Sequence, residues 1–140
     1  MHSKAPEIVA RAKHYLGRPW RHQGRSWHTG VDCAGLVIKV GHDLKLGAFD
    51  TTDYGRRPDL IEFDRCLRVS GCTSVGLPGL ENGDIVRISE TRWPVHCGIV
   101  EYDKHSAWLI HSTALARQVV REPLGEVRWR QITAVWRYPE

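Results

Sequence analysis

A cysteine can act as a nucleophile only if it is held as a thiolate, and Cys33 stands where a chain can arrange that. Leu36, Val37, Val40 and Leu44 follow it at the spacing of one buried helix face. Cys33 extends that stripe into the first turn of a helix expected from about Asp32 to about Leu46, with Gly47 as its stop. A helix N-terminus carries partial positive charge and unpaired N–H groups, which favour a thiolate and could receive an oxyanion. Gly30 and Gly35 flank the cysteine and allow other backbone to come close. Taken alone, the same position also suits a small buried apolar residue.

A thiol nucleophile requires an imidazole within hydrogen-bond reach and a group that orients the imidazole. Of eight histidines, His96 and His111 lie inside apolar runs that read as strands. A chain reversal at Asp103-Lys104 places them opposite each other on an antiparallel pair. A reversal one residue later places His96 opposite Thr113 and His111 opposite Gly98. In both registers the two rings share a face, because strand side chains alternate with a period of two.

The elements that must position these groups divide the chain into a helical first half and a strand-rich second half. A first helix is expected from Pro6 to about Leu16, burying Ile8, Val9, Ala12, Tyr15 and Leu16 and ending at Gly17. Residues 18–31 read as a structured loop. A short third helix follows Pro58 through Leu60, Ile61 and Phe63 to Leu67, and residues 68–80 read as a connection. Strands are expected at 84–88, 95–102, 107–111, 118–121 and 132–136, with turns at Glu81-Asn82-Gly83, Asp103-Lys104 and Pro123-Leu124-Gly125. Helices followed by strands imply an α+β fold in one domain over residues 1–140: an antiparallel sheet covered by helices on one face.

Composition narrows the function. The chain has 140 residues, 41% of them hydrophobic, and a formal net charge of +4, which suits one ordinary globular core. The basic residues are scattered, so a nucleic-acid partner is not expected. No apolar run is long enough to insert in a membrane, and the N-terminus lacks the apolar segment of a secretory signal, so synthesis in the cytoplasm is expected. The four cysteines, at 33, 66, 72 and 97, match no zinc spacing and are expected reduced, with Cys66, Cys72 and Cys97 in packing roles. Neither a metal nor an organic cofactor is expected.

The run Tyr15-Leu16-Gly17-Arg18-Pro19-Trp20, followed by Gly30-Val31-Asp32-Cys33-Ala34-Gly35-Leu36-Val37, resembles the active-site segment of NlpC-type cell-wall peptidases. Gly83-Asp84-Ile85-Val86, His96-Cys97-Gly98-Ile99-Val100 and Leu109-Ile110-His111-Ser112 are similar to that family's later strand motifs, in the same order. The resemblance implies a papain-like fold and hydrolysis of amide bonds in peptidoglycan peptides. It implies Cys33 as nucleophile, His96 as base and later acid, and His111 as the orienting residue. Asp32 matches a position near the substrate's free amino terminus, and it also suits a helix N-cap. Trp20 stands where the family usually has a tyrosine associated with the oxyanion pocket, so oxyanion binding is expected to rest more on backbone N–H groups. Small members of this kind look like those of phages and tail-like particles, which implies tail proteins as partners and delivery to the wall by the particle. A neutral second histidine stabilises imidazolium less than a carboxylate does, so His96 is expected to titrate near or below neutrality. Two rival readings accompany this one: a catalytically silent tail-assembly scaffold or substrate-binding module of the same fold, for which six tryptophans offer interface surface, and acyl transfer or deamidation by the same thiol.

Overall fold

In the computed structural model, residues 2–47, 50–52, 54, 60–90 and 95–140 are described. The apolar spacing of the N-terminal segment produces α1 (Ala5–His14), with Pro6 in its first turn, and it buries Ala5, Ile8, Val9 and Ala12. The helix stops two residues earlier than expected. Tyr15 follows in a turn and is buried, but Leu16 is exposed, so it does not join the buried face. The loop after it contains a small hairpin, β1 (Arg25–Ser26) and β2 (Gly30–Val31).

Helix α2 (Cys33–Asp43) buries Leu36, Val37 and Val40 as the spacing requires. Its end corrects the expected stop at Gly47. Lys45 takes the left-handed conformation with φ of 60°, and Leu46 N donates to Gly41 O at 2.7 Å, closing the helix two residues before that glycine. Helix α3 (Leu60–Val69) runs past the expected end at Leu67, and Ile61 on it is 81% exposed. Pro58, expected to open α3, lies outside the described residues.

The remaining strands are β3 (Thr73–Val75), β4 (Ile85–Ile88), β5 (His96–Tyr102), β6 (Ala107–Thr113), β7 (Gln118–Pro123) and β8 (Ile132–Arg137). They form one six-stranded antiparallel sheet in the order β3-β8-β4-β5-β6-β7. Besides the β1–β2 hairpin within the expected loop, a strand and a helix escaped the sequence reading. The segment read as a connection contributes edge strand β3, and α4 (Glu126–Gln131) follows the turn at Gly125. Both are short, and neither buries enough of its own side chains to leave a periodic signal.

Alternation along the strands creates two cores. On one face Ile85, Cys97, Ile99, Ile110, Val119 and Trp136 pack against α1 and α2. On the other, Val86, Ile88, Val100, Leu109, Ile132 and Val135 form a smaller cluster closed by Leu77, Leu124 and Trp129. The second face is therefore also covered, by α4 and the short turn at Leu77–Gly79, and not only the first as expected. Asp84 anchors the start of β4: it is buried, accepts from Glu81 N at 2.8 Å and pairs with Arg137 at 2.8 Å.

Candidate active site

Cys33 is the first residue of α2, and Asp32 caps the helix. Asp32 Oδ1 accepts from Gly35 N at 2.7 Å and from Arg25 Nη1 at 3.2 Å; Oδ2 accepts from Gln23 N at 2.7 Å and from Tyr54 Oη at 2.8 Å. Four donors thus fill the acceptor directions of a buried carboxylate. The tip can sit this deep because Gly35 lacks a side chain: a Cβ there would lie 2.1 Å from Gly24 O. The N–H groups of Cys33 and Ala34 begin the helix and have no intrahelical acceptor. The N-cap reading of Asp32 is thereby met. A substrate amino group would reach it only by displacing a donor already present.

Strand β5 delivers the imidazole. Its pairing with β6 matches Ile99 to Ile110 and Tyr102 to Ala107, the later of the two expected registers. His96 and His111 are then diagonal across Gly98 instead of directly opposite. Gly98 makes the diagonal contact possible, since a Cβ there would meet Leu109 Cδ1 at 2.7 Å, Ile110 O at 2.8 Å and His111 Cβ at 3.0 Å. Across that gap His96 Nε2 lies 2.6 Å from His111 Nδ1, with ring planes at 73°. Both rings are buried. With Nε2 engaged, Nδ1 is the nitrogen that His96 has left for the sulfur.

The first two residues of β5 are the neighbours that act most on the Cys33 thiol: Cys97 from the helix-covered face and His96 from the other. The Cys97 bond, followed by the bond and charge of His96, holds the Cys33 thiol well below its ordinary value despite burial. The Cys97 thiol moves the opposite way, raised by its bond to Cys33 and by burial. Of this coupled pair, Cys33 is the anion, because it alone has both the helix terminus and an imidazole. Burial lowers His96, but the bond and charge of the Cys33 thiolate outweigh it, so the net direction is upward. The expectation of a base titrating near or below neutrality counted the neutral partner and not the thiolate, which acts upward. Burial lowers His111, leaving it neutral. Asp32 is raised by burial and by the thiolate, against the bonds from Gly35, Tyr54 and Gln23.

Cys33, Ala34, Val37, Phe63, Leu67 and Cys97 contribute to the lining of a pocket of about 540 Å³, including its part open to solvent. Trp20 is not among its lining residues. It lies instead on the loop bridged to Val31, with its ring stacked beside His22 at 6.5 Å. The structure therefore joins Cys33, His96, His111 and Asp32 in one site and sets Trp20 beside it. Cys66 lines the same pocket and its thiol is raised, mainly by burial; Cys72 is pushed up to about 12 by burial. All four cysteines are free.

The sequence reading missed Cys97 as a partner of Cys33, and Arg25 and Tyr54 as supports of Asp32. It also missed Glu122, whose Oε1 lies 3.2 Å from His111 Nε2. Strand β7 was expected to end at Arg121 and continues through Glu122. Given the observed length and register, Glu122 falls diagonal to His111, and that was the available signal. Among the described residues, no group of three or more His, Cys, Asp or Glu side chains is arranged to hold a metal ion, and no helix is long and apolar enough to cross a membrane.

No protein-family model and no curated protein matches the sequence. Solved structures do. An NlpC/P60 family protein from Bacillus cereus superposes with a TM-score of 0.69 at 21% identity, covering 97% of this chain and 40% of that one. The NlpC/p60 domain of the peptidoglycan hydrolase SagA gives 0.62 at 19%, covering 94% and 96%. RipD from Mycobacterium tuberculosis, described as a non-catalytic NlpC/p60 domain protein adapted to peptidoglycan binding, gives 0.59 at 12%, covering 98% of each chain. The chain has the NlpC/P60 fold, a papain-like α+β arrangement, and it spans well under half of the B. cereus protein.

Proposed function

We propose that this chain is a cysteine peptidase that hydrolyses amide bonds in the stem peptides of bacterial peptidoglycan. The observation that carries the reading is the set of groups at one helix tip: Cys33 as the first residue of α2, its thiol lowered by Cys97 and then by His96, and His96 tied at 2.6 Å to His111. Two neighbours of the same fold, the SagA domain and an N-acetylmuramoyl-L-alanine amidase from Bacteroides uniformis, are described as acting on this class of substrate.

Cys33 Sγ attacks the scissile carbonyl, and the oxyanion forms where the Cys33 and Ala34 N–H groups begin α2. His96 Nδ1 then protonates the leaving amine, giving a thioester and a free amine. A water molecule, deprotonated at His96, hydrolyses the thioester and returns the thiol. His111 keeps the His96 ring oriented throughout. Trp20, stacked on His22, is proposed as a wall of the substrate approach, and Asp32 as the acceptor for the substrate's amino terminus once Tyr54 or Arg25 yields its place. Delivery by a phage tail or tail-like particle belongs to the same proposal and is supported by the sequence resemblance alone.

The test is incubation with defined tri- and tetrapeptide wall fragments, read by mass. A cleaved bond with one added water supports hydrolysis. Intact fragments that nevertheless bind, as the description of RipD has it for that protein, would favour the silent binding role.

A further inference from the structure

His111 is buried to 1% exposure, and its Nε2 has no partner in full hydrogen-bond geometry among the described residues. It faces one carboxylate, Glu122 Oε1, at 3.2 Å, approached off the N–H axis. Glu122 is fixed in turn. Arg128 Nε donates to the same oxygen at 2.8 Å, and Arg128 Nη1 reaches Glu90 at 2.7 Å and Gln131 at 3.1 Å. A polar line therefore runs from the sulfur through two imidazoles to a carboxylate and a guanidinium, drawn from β5, β6, β7 and α4.

Two imidazole nitrogens 2.6 Å apart require one donor and one acceptor. In one arrangement His96 Nε2–H donates to His111 Nδ1, His111 carries its proton on Nε2, and His96 Nδ1 can exchange a proton with sulfur. In the other His111 Nδ1–H donates, His111 Nε2 is bare, and His96 carries its proton on Nδ1 and cannot accept another there. The second arrangement sets a bare nitrogen against an anionic oxygen. We infer that Glu122 is a positioning residue: held by Arg128, it selects the His111 tautomer that leaves His96 able to act as base. This rests on the reading of Cys33 and His96 as a catalytic pair. In support, Glu122 is held down at about 2, first by the His111 ring beside it and also by the bond and charge of Arg128, so it is anionic at neutral pH.

The charged groups around the two rings are the Cys33 thiolate, Glu90 and Arg128 toward His96, and Glu122, Arg128 and His96 itself toward His111. Loss of Glu122 removes a negative charge that stabilises imidazolium, so the alkaline limb of Cys33 ion-pair reactivity should move to lower pH. The experiment compares wild type, E122Q and E122A in the full chain. The His111 tautomer is read from imidazole nitrogen shifts by NMR, and Cys33 alkylation by iodoacetamide is followed across pH. Wild type should hold the His111 proton on Nε2. Both variants should populate the Nδ1 tautomer, lower the neutral-pH alkylation rate by about tenfold and shift the alkaline limb down. Folded variants with unchanged tautomer and unchanged limb would overturn the inference. Should wild type cleave no wall peptide while the variants still shift, the peptidase reading falls and the positioning role stands.

Discussion

The two faces of the sheet treat their ionisable groups in opposite ways. The helix-covered face is apolar, and the thiols beside it, Cys66, Cys72 and Cys97, all rise above their ordinary values. The other face carries an apolar cluster as well, but into it is set a polar line of His96, His111, Glu122 and Arg128. Cys33 sits where the two regions meet, and it is the cysteine whose thiol falls. Burial alone therefore does not activate a thiol in this protein: it raises Cys66 and Cys72, and it adds to the effect of Cys33 that raises Cys97. What distinguishes Cys33 is the lowering effect of Cys97 and then of His96, the head of the polar line, at a helix tip whose dipole adds to the effect.

Removing the sulfur erases the contrast. Cys33→Ala should cut hydrolysis by at least about a thousandfold while the circular-dichroism spectrum is unchanged, and His96→Ala should be nearly as severe. Cutting the line one step further out, His111→Ala should cost roughly ten- to a hundredfold in kcat, read by steady-state kinetics. Retention of full rate would mean that His96 needs no tether. Next in size is the gap that lets the rings meet. Gly98→Ala places a methyl against Ile110 O and His111 Cβ, and should lower unfolding stability by about 1–3 kcal/mol together with activity. An unchanged melting temperature and rate would show that the rings have other room. Smallest is a change on the apolar side. Cys97→Ala removes the neighbour that lowers the Cys33 thiol most, so the pH of half-maximal Cys33 alkylation should rise with little loss of fold. A fall would mean that Cys97 opposes the thiolate.

The two regions also differ in how far the sequence disclosed them. The apolar side was readable because helical spacing at Leu36, Val37 and Val40 and alternation along β5 and β6 are strong local signals. Cys33 at the helix start and the shared face of His96 and His111 followed from the same periodicities. The register did not, since a turn that is two residues longer changes the pairing without changing the face. The outer part of the polar line depends on where β7 ends and on α4 returning Arg128 to Glu122, and neither is encoded in a local pattern. The same holds for Asp32: a cap was visible in sequence, but its partners Arg25 and Tyr54 come together only through tertiary structure. The end of α2 at Asp43 was hidden for a different reason, because Lys45, the residue beyond its cap that turns left-handed, carries no sequence signature of a stop.

The central claim, that one thiol of four is held as an anion, is tested most directly by pH-dependent alkylation with each cysteine resolved by peptide mass. Cys33 titrates below its ordinary value, so its thiolate persists as pH falls, while Cys66, Cys72 and Cys97 are raised and stay protonated. Selective labelling of Cys33 at neutral pH, with the other three unlabelled, is the expected result. Cys33 labelling only under alkaline conditions, in step with Cys66, would contradict it.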